Sequence, residues 1–458
     1  MEGIQNGQNG IARDGSLLRY RVNPFKFLMA SFAGIILIGT ILLMLPVSSA
    51  EGKATPLIDA LFTATSATCV TGLVVRDTGT YFSAFGQFVI LILIQLGGLG
   101  YMTTMTLFAI LLKRHIPVTQ RIILQENMGY PTLSQIIVFA KHIFVSVFTF
   151  EAVGALILFF RWKNLGVSTA LKYSVFHSIS AFNNAGFDVL GNFKSLTEYV
   201  YDPVVNITIM LLIIFGGIGF LVLSNIYNHL LYKKRLSLHS KLVICTTIVL
   251  IFIGALLIFA FESRNPETLG KLSPAGKILA SLFQSVTSRT AGFNTIAIGK
   301  MTTAGLMVII FLMFIGASPG GTGGGIKTVT FVVALSAIVS YVRGKNKTEI
   351  HNRSISQEAV TRAFAIIILS ILFIYLNTML LCAFNNFSVS QNLFEAVSAF
   401  GTVGLSTGIT PQLNIASKII LIILMFIGRV GILSPILFLK YYHDACKVNL
   451  PEEEISVG

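Results

Sequence analysis

The sequence predicts an all-α membrane protein built from four tandem repeats, and two observations carry this prediction. First, 54% of the 458 residues are hydrophobic and only 11% are charged, whereas soluble domains carry about 25% charged residues. Second, one short segment recurs four times at a period of about 110 residues, as expected of a repeat architecture. The four cysteines lie far apart and lack metal-site spacing, so they indicate neither a disulfide framework nor a zinc site.

Long runs without Asp, Glu, Lys or Arg supply the membrane helices. These runs are 27–50, 82–112, 203–232, 242–261 and 363–394. About 20 apolar residues suffice to cross the hydrocarbon core of a bilayer. Polar residues fill 1–24, and the apolar segment that follows is too long for the core of a signal peptide.

The four repeated segments align without gaps around one shared glycine, at Gly72, Gly186, Gly292 and Gly404. They read FTATSATCVTGLVV from 62, FHSISAFNNAGFDV from 176, LFQSVTSRTAGFNT from 282 and FEAVSAFGTVGLST from 394. One apolar span precedes each segment (25–45, 136–160, 242–261 and 363–384), and a second follows it (about 83–112, 203–232, 302–341 and 416–440).

Each aligned segment begins with about a dozen helix-compatible residues, such as 56–68 or 390–400, which are too few to cross a bilayer. We therefore expect a helix that enters the membrane from one side and returns through a loop. The predicted architecture is four tandem helix–pore-loop–helix repeats. Their eight transmembrane helices and four re-entrant pore helices surround one pseudo-fourfold pore.

The charge map predicts the orientation. Basic residues gather at 13–26, 113–141, 233–241, 343–362 and 440–447. Because cytoplasmic loops are enriched in Lys and Arg, both termini are expected in the cytoplasm of a multi-pass protein of the cell membrane. The net charge of +14 then indicates contact with membrane lipid or an acidic partner rather than nucleic acid. The predicted division is a cytoplasmic segment 1–24, repeats at 25–114, 115–235, 236–345 and 346–442, and a cytoplasmic tail 443–458.

The loops that contain the shared glycines are typical of a cation filter. Irregular backbone is tolerated at membrane depth only where protein buries it or it lines a watery cavity. Glycine adopts positive φ at low cost, and a ring of backbone carbonyls can replace the water shell of an ion. Close helix packing would explain a single glycine, but four at one aligned position favour the filter. The predicted ion-binding residues are Val70, Thr71, Gly72, Asn184, Ala185, Gly186, Thr290, Ala291, Gly292, Thr402, Val403 and Gly404.

Neighbours of the filter are predicted to support it. The loops contain no ring of Asp or Glu, so the carbonyls are expected to coordinate the ion. Cys69 is expected to pack behind the filter. Asn183 and Asn184 are interpreted as filter supports, and a simple turn is the alternative.

A glycine-rich segment interrupts the second span of repeat three. Residues 316–328 read GASPGGTGGGIKT, which cannot form a regular helix. We expect an intramembrane gate loop that crosses the pathway beneath the filter. A phosphate-binding loop is the competitor, but Ile326 separates the last glycine from Lys327. The predicted gate residues are Gly316, Ala317, Ser318, Pro319, Gly320, Gly321, Thr322, Gly323, Gly324, Gly325, Lys327 and Arg429.

Two charges fall inside predicted spans. Arg429 interrupts the uncharged run from Ile419 to Leu439, and a guanidinium at the centre of a membrane helix costs about 2.5–3.5 kcal/mol. We expect it to face the pore and hold the gate loop through backbone carbonyls, and a structural tie between helices is the alternative. Glu151 lies within the first span of repeat two. The sequence assigns it no partner and leaves a subunit-interface role, a structural role and an ion site open.

With filter cores TG, AG, AG and VG, the chain from Phe25 to Tyr442 resembles the Trk/Ktr/HKT superfamily of potassium transporters. The resemblance is closest to the Ktr-type membrane subunit, because only eight spans are present. It implies potassium as the transported ion, no covalent cofactor, a gating role for the glycine-rich loop, a homodimer with one pore per subunit, and control by a cytoplasmic ring of nucleotide-binding subunits.

The alternatives are a sodium-permeable transporter or sodium symport. An enzyme is not predicted, since no GxSxG or HExxH motif is present. A carrier made of two inverted halves would show a twofold repeat.

Overall fold

The computed structural model describes residues 24–100, 136–345, 347–351 and 353–433, and within these ranges the regular secondary structure is helical apart from one short hairpin. Three of the described helices are long and apolar enough to cross a membrane, and one bent helix pair makes a fourth candidate. Four shorter apolar helices accompany them. The predicted terminal segments 1–24 (apart from its last residue) and 443–458, and the boundary between 114 and 115, lie outside the described residues.

A long helix opens each predicted repeat. These helices are α1 (Pro24–Met44), α4 (Ile136–Trp162), α8 (Leu238–Glu262) and α12 (Gln357–Phe384). Their bounds lie within a few residues of the first spans that hydropathy predicted. Large apolar side chains such as Leu156, Leu256 and Ile368 are exposed on them, as expected of surfaces that face lipid.

A short helix precedes each shared glycine. These helices are α2 (Leu57–Thr68), α5 (Val167–Phe182), α9 (Pro274–Thr287) and α13 (Val389–Gly401). Polar side chains define two of the starts. Ser273 caps α9 through the amide of Gly276, and Ser388 and Gln391 form a capping box at α13. With 12 to 16 residues each, they are too short to span a bilayer.

A second apolar helix follows each glycine. These are α3 (Ala84–Leu99), α6 (Pro203–Gly217) with α7 (Phe220–Tyr232), α10 (Thr303–Phe314) with α11 (Thr328–Val342), and α14 (Ile415–Val430). As predicted, the glycine-rich loop separates α10 from α11. The run 203–232 differs from the single span expected of it, because α6 and α7 meet at 101°. The break lies at Gly219, whose φ of +96° favours glycine.

The remaining elements are small connections. A two-stranded antiparallel hairpin, β1 (Glu349–Ile350) and β2 (Arg353–Ser354), joins α11 to α12. Short 3-10 turns lie at Pro46–Ser48, Lys163–Leu165, Thr197–Tyr199, Ile298–Lys300 and Thr410–Gln412.

The helices pack in a closed cycle. Within each repeat the long, short and second helices contact one another. Each second helix also contacts the short helix of the following repeat: α3 packs on α5, α6 on α9, and α10 on α13. The cycle closes because α14 packs on α2 of the first repeat. The four short helices and their glycine loops are thereby brought to one centre.

Candidate ion pathway

The four shared glycines form a ring. A Cβ added to Gly72 would lie 2.6 Å or less from the carbonyl oxygen of the next repeat's Ala185. The same holds around the ring, where Gly186 faces Ala291 O, Gly292 faces Val403 O, and Gly404 faces Thr71 O. Each contact joins one glycine to the residue that precedes the next glycine. The structure therefore brings the predicted filter residues together and leaves no room for a side chain at any of the four positions.

The backbone of each loop is held in a left-handed conformation twice. The four glycines have φ between +69° and +91°, which costs glycine little. The residue two positions earlier also has positive φ, although it carries a side chain: Val70, Asn184, Thr290 and Thr402, at +57°, +57°, +71° and +50°. A non-glycine residue pays about 1–2 kcal/mol there, so surrounding contacts must fix these loops. No sequence signal pointed to this second strained position.

Side-chain hydroxyls on the short helices fix the loops. Ser66 and Ser398 Oγ accept hydrogen bonds of 3.1 Å from the amides of Gly72 and Gly404. Ser180 Oγ donates to Phe187 O at 2.7 Å. Repeat three has Val286 at the aligned position, and the adjacent Thr287 donates to Phe293 O at 2.6 Å instead. The shared serine of the alignment is thus an anchor for the loop, and its exception is compensated one residue later.

The glycine-rich loop lies directly against the filter loops. Gly324 N donates to Thr402 Oγ1 at 2.9 Å, and a Cβ on Gly323 would collide with Thr290 Oγ1. The loop is also hydrogen-bonded to two second helices. Its amides at Ser318 and Thr322 donate to the carbonyls of Gly217 and Gly216 in α6, and the amide of Gly325 donates to Gly428 O in α14.

Two cations hold this loop. Lys327 Nζ donates to Gly323 O at 2.7 Å, within the loop itself. The Arg429 guanidinium donates to Thr322 O and to Gly97 O of α3, with Gly98 O at 3.4 Å. Arg429 therefore joins repeat four, the loop and repeat one through backbone carbonyls. The contact with the loop was expected from the sequence, and the one with repeat one was not. The alternative for Arg429, a structural tie between helices, is also present, because its guanidinium links α14 to α3.

Glycines at matching depth in the second helices have a common cause. A Cβ on Gly97, Gly216 or Gly428 would collide with the carbonyl oxygen of Thr68, Phe182 or Phe400, near the end of the short helix of its own repeat. Glycine at these points lets the second helix pass directly against the filter-side end of the short helix. In repeat three, Gly316 contacts the backbone of Gly324 and Gly325 in the loop instead.

Residues three positions before the shared glycine differ chemically between repeats. Cys69 is fully buried, as expected of a packing residue. Asn183 is fully buried, and its Nδ2 lies within hydrogen-bond distance of three acceptors, described below. Arg289 is 8% exposed, and its Nε has no hydrogen-bond partner among the described residues. It lines a small cavity beside Ala317 of the glycine-rich loop.

Sequence reasoning missed a buried ionic group at the closure of the cycle. Asp59 of α2 accepts from Lys418 Nζ of α14 at 2.7 Å and from Arg76 Nε at 2.8 Å. It also missed Glu395 of α13, which accepts from Ser406, Thr407 and Thr410 in the segment after its own filter loop. A carboxylate inside a short apolar helix was the signal available for both.

On the side of the filter away from the glycine-rich loop lies a cavity of about 620 Å³. The four shared glycines line it, together with Asp77, Asp188 and Lys300. Burial raises the pKa of Asp188 to about 7, and the negative charge of Asp77 also raises it. The hydrogen bond that its carboxylate accepts from Leu190 N lowers the pKa and offsets part of this rise. Carboxylates at a pore entrance raise the local concentration of cations.

Comparison with known proteins gives the family of the chain. The profile of the family described as "TrkH: Cation transport protein" matches residues 11–448. The chain belongs to the TrkH family. Its relatives include two proteins named "Ktr system potassium uptake protein B". That of Bacillus subtilis is 42% identical over 98% of this chain and 100% of the relative, and that of Vibrio alginolyticus is 37% identical over 97% of both.

Two further similarities bear on family and fold. The "Potassium/sodium uptake protein NtpJ" of Enterococcus hirae is 37% identical over 96% of this chain and 98% of its own. The crystal structure of the potassium transporter TrkH from Vibrio parahaemolyticus superposes with a TM-score of 0.69 at 17% identity, over 92% of this chain and 86% of that one. The predicted resemblance is thus confirmed, and this TrkH-family member is a membrane transport protein and not an enzyme.

Proposed function

We propose that this TrkH-family chain is the ion-translocating subunit of a potassium uptake system. The observation that carries the proposal is the ring in which each shared glycine faces the carbonyl of the next repeat. Such a ring offers backbone oxygens in place of the water shell of an ion. The names of the Bacillus and Vibrio relatives support potassium as that ion.

The proposed architecture is eight spans and four re-entrant pore helices around one pseudo-fourfold pore. The cyclic packing of second helices on the short helices of the following repeats supports it. In this arrangement the short helices end at the filter, so the partly negative C-terminal ends of their dipoles favour a cation there. The basic clusters predicted to face the cytoplasm support an orientation with the glycine-rich loop below the filter and the cavity of about 620 Å³ on the outside.

The glycine-rich loop is proposed as the gate. It touches filter residues Thr290 and Thr402 from below and is held by Arg429. While it remains there, it fills the space beneath the filter, and the positive guanidinium opposes a cation at the same point. Opening requires the loop to break the hydrogen bonds that its amides donate to carbonyls of α6 and α14.

A homodimer and a cytoplasmic nucleotide-binding ring complete the proposal. The relatives are named as protein B of a Ktr system, which supports a partner subunit. The basic clusters predicted to face the cytoplasm provide surfaces for such a partner or for anionic lipid.

The central test is cation flux into proteoliposomes that contain the purified chain. Uptake of potassium, rubidium and sodium is compared with that of empty liposomes and of the Gly292→Ser variant. Potassium and rubidium flux in excess of sodium flux, weakened in Gly292→Ser, is expected. Equal potassium and sodium flux in the wild type would refute the potassium assignment.

The gate has a separate test. Deletion within 317–325 should raise potassium flux through the purified chain and reduce its response to the cytoplasmic partner. The potassium-to-sodium ratio serves as the control, since the filter contacts of the other repeats remain. Unchanged flux in a correctly inserted deletion variant would exclude the gating role.

A sodium-permeable or sodium-coupled transporter is the second candidate. The observation that favours it is the relative named "Potassium/sodium uptake protein". Potassium uptake that requires sodium on the same side in the proteoliposome assay would select coupling, and flux independent of sodium would exclude it.

A further inference from the structure

Asn183 is tied to two neighbouring helices immediately before the filter segment of repeat two. Its side chain is fully buried. Its Nδ2 lies 2.9 Å from each of three acceptors: Glu151 Oε1 in α4, Gln95 Oε1 in α3 and Ile179 O in α5. An amide nitrogen has only two hydrogens, so these acceptors use its whole donor capacity. The next residue, Asn184, begins the strained filter backbone at φ +57°.

Glu151 is the ionisable member of this cluster. It is 4% exposed, and its second carboxylate oxygen accepts from Gln95 Nε2 at 3.3 Å. Within the described ranges its side chain has two amide partners and no ion pair. A buried carboxylate without a cation is unfavourable, and apolar side chains join helices at lower cost. Apolar side chains would therefore hold α3, α4 and α5 together at lower cost than this cluster does, which suggests that the cluster has a further role.

The same cluster lies beside the end of α3, to which Arg429 donates hydrogen bonds. A Cβ on Gly98 would collide with Asn183 Oδ1, and the carbonyls of Gly97 and Gly98 accept from the Arg429 guanidinium. The side chain of Asn183 thus fills the space between the second filter segment and the end of α3. A displacement of Asn183 would be passed directly to Asn184 in the filter.

We propose that Glu151 is a positioning residue for ion selectivity, which acts through Asn183 on the filter segment Asn184–Gly186. This inference rests on the proposed filter. The aligned residues Cys69, Arg289 and Gly401 make no side-chain hydrogen bond to a carboxylate within the described ranges. Among the described residues, a carboxylate contacts the residue just before the filter segment in repeat two, whereas Glu395 of repeat four contacts the segment after it. A side-chain change at Glu151 should therefore alter selectivity without touching the ring.

The test uses full-length protein in proteoliposomes and measures two quantities. These are the potassium-to-sodium flux ratio and the temperature of thermal unfolding in detergent. Glu151→Leu removes the carboxylate and fills its volume with apolar atoms. We expect the flux ratio to fall about tenfold, within the range typical of coupling between neighbouring sites. Glu151→Gln keeps an acceptor oxygen for Asn183, and its flux ratio should stay within about twofold of the wild type.

A matched control is available in Glu262. Its buried carboxylate accepts from Thr302 at the start of α10 and from Thr268, away from the filter residues. Glu262→Leu should lower the unfolding temperature while the flux ratio is unchanged. The double variant Glu151→Leu/Asn183→Leu replaces both partners by apolar groups, which is often nearly neutral for stability. It should lose no more selectivity than Glu151→Leu, and it replaces that variant if Glu151→Leu does not fold.

The outcomes separate this inference from the proposed function. A selective wild type, with loss of selectivity in Gly292→Ser and in Glu151→Leu, supports both. The second outcome is a selective wild type and an unselective Gly292→Ser, with an unchanged flux ratio in Glu151→Leu and in the double variant. It would overturn the role of Glu151 and leave the proposed filter unaffected. An unselective wild type would overturn the filter, and the role of Glu151 with it.

Discussion

Substitution of Gly292 by serine puts the filter geometry to a quantitative test. The serine Cβ would lie 2.6 Å from Val403 O and 3.0 Å from Gly186 Cα. Ordinary contact begins at 3.4 Å, so the third and fourth filter segments must separate by about 0.8 Å. Functional sites tolerate displacements of about 0.5 Å. Serine would also adopt φ +83°, at a cost of about 1–2 kcal/mol.

The expected result is a potassium-to-sodium flux ratio at least tenfold lower than in the wild type, or about 1.4 kcal/mol of lost discrimination. The physical reason is that carbonyls displaced from the ring no longer match the ion whose water shell they replace. Flux is measured in proteoliposomes at equal amounts of inserted protein, with potassium and sodium gradients of equal size.

Gly166→Ser is the matched control. Gly166 has a similar φ of +96°, and a Cβ there would meet no atom within 4 Å. Gly166→Ser therefore also places a serine at positive φ, but without the collision. If the two variants lose selectivity equally, or if Gly292→Ser retains the wild-type ratio, the close approach of the filter segments is not what selects the ion.

Three further predictions concern Arg429, Asp188 and Lys418. Arg429→Ala should raise potassium flux several-fold, since it removes charged hydrogen bonds worth about 1.5–3 kcal/mol each to the loop and to α3; unchanged flux in inserted protein contradicts the barrier role. Asp188 is neutral below its raised pKa of about 7 and ionised above it, so potassium uptake at low concentration should fall as external pH drops through about 7, and Asp188→Asn should abolish this dependence. Lys418→Met should lower the unfolding temperature far more than Lys194→Met, because the Lys418 side chain is 12% exposed and pairs with buried Asp59. Lys194 pairs with Glu198 at the surface, where ion pairs contribute about 0–1 kcal/mol. Equal decreases in unfolding temperature would refute the argument.

Hydropathy and internal repetition predicted what depends on local sequence. The long helices α1, α8 and α12 overlap uncharged runs, and their bounds lie within six residues of the predicted spans. The alignment located the four glycines that prove to be neighbours, because repeats with the same local structure place equivalent residues at equivalent points of a cycle. The position of Arg429 followed from the cost of an isolated charge in a membrane helix.

Contacts between repeats were beyond the reach of the sequence. Gln95 and Asn183 are separated by 88 residues, and Asp59 and Lys418 by 359. No local pattern links such pairs, because their proximity results from the packing of whole helices. The bend at Gly219 was missed for a related reason, since the apolar run across it is continuous and the loop residue Pro319 that requires a glycine there lies in another repeat.

The ends of α3, α6 and α14 and the proposed gate are two parts of one arrangement. The last four carbonyls of a helix have no partner within it. Those of Gly216 and Gly217 at the end of α6, and of Gly428 near the end of α14, accept instead from amides of the glycine-rich loop. The carbonyls of Gly97 and Gly98 at the end of α3 accept from Arg429. A loop that moves away would take its amide donors from the carbonyls of Gly216, Gly217 and Gly428. Carbonyls without donors at membrane depth are tolerated only where water enters. Opening and hydration of the pathway beneath the filter must therefore occur together, and the freed carbonyls then face the water through which a cation leaves.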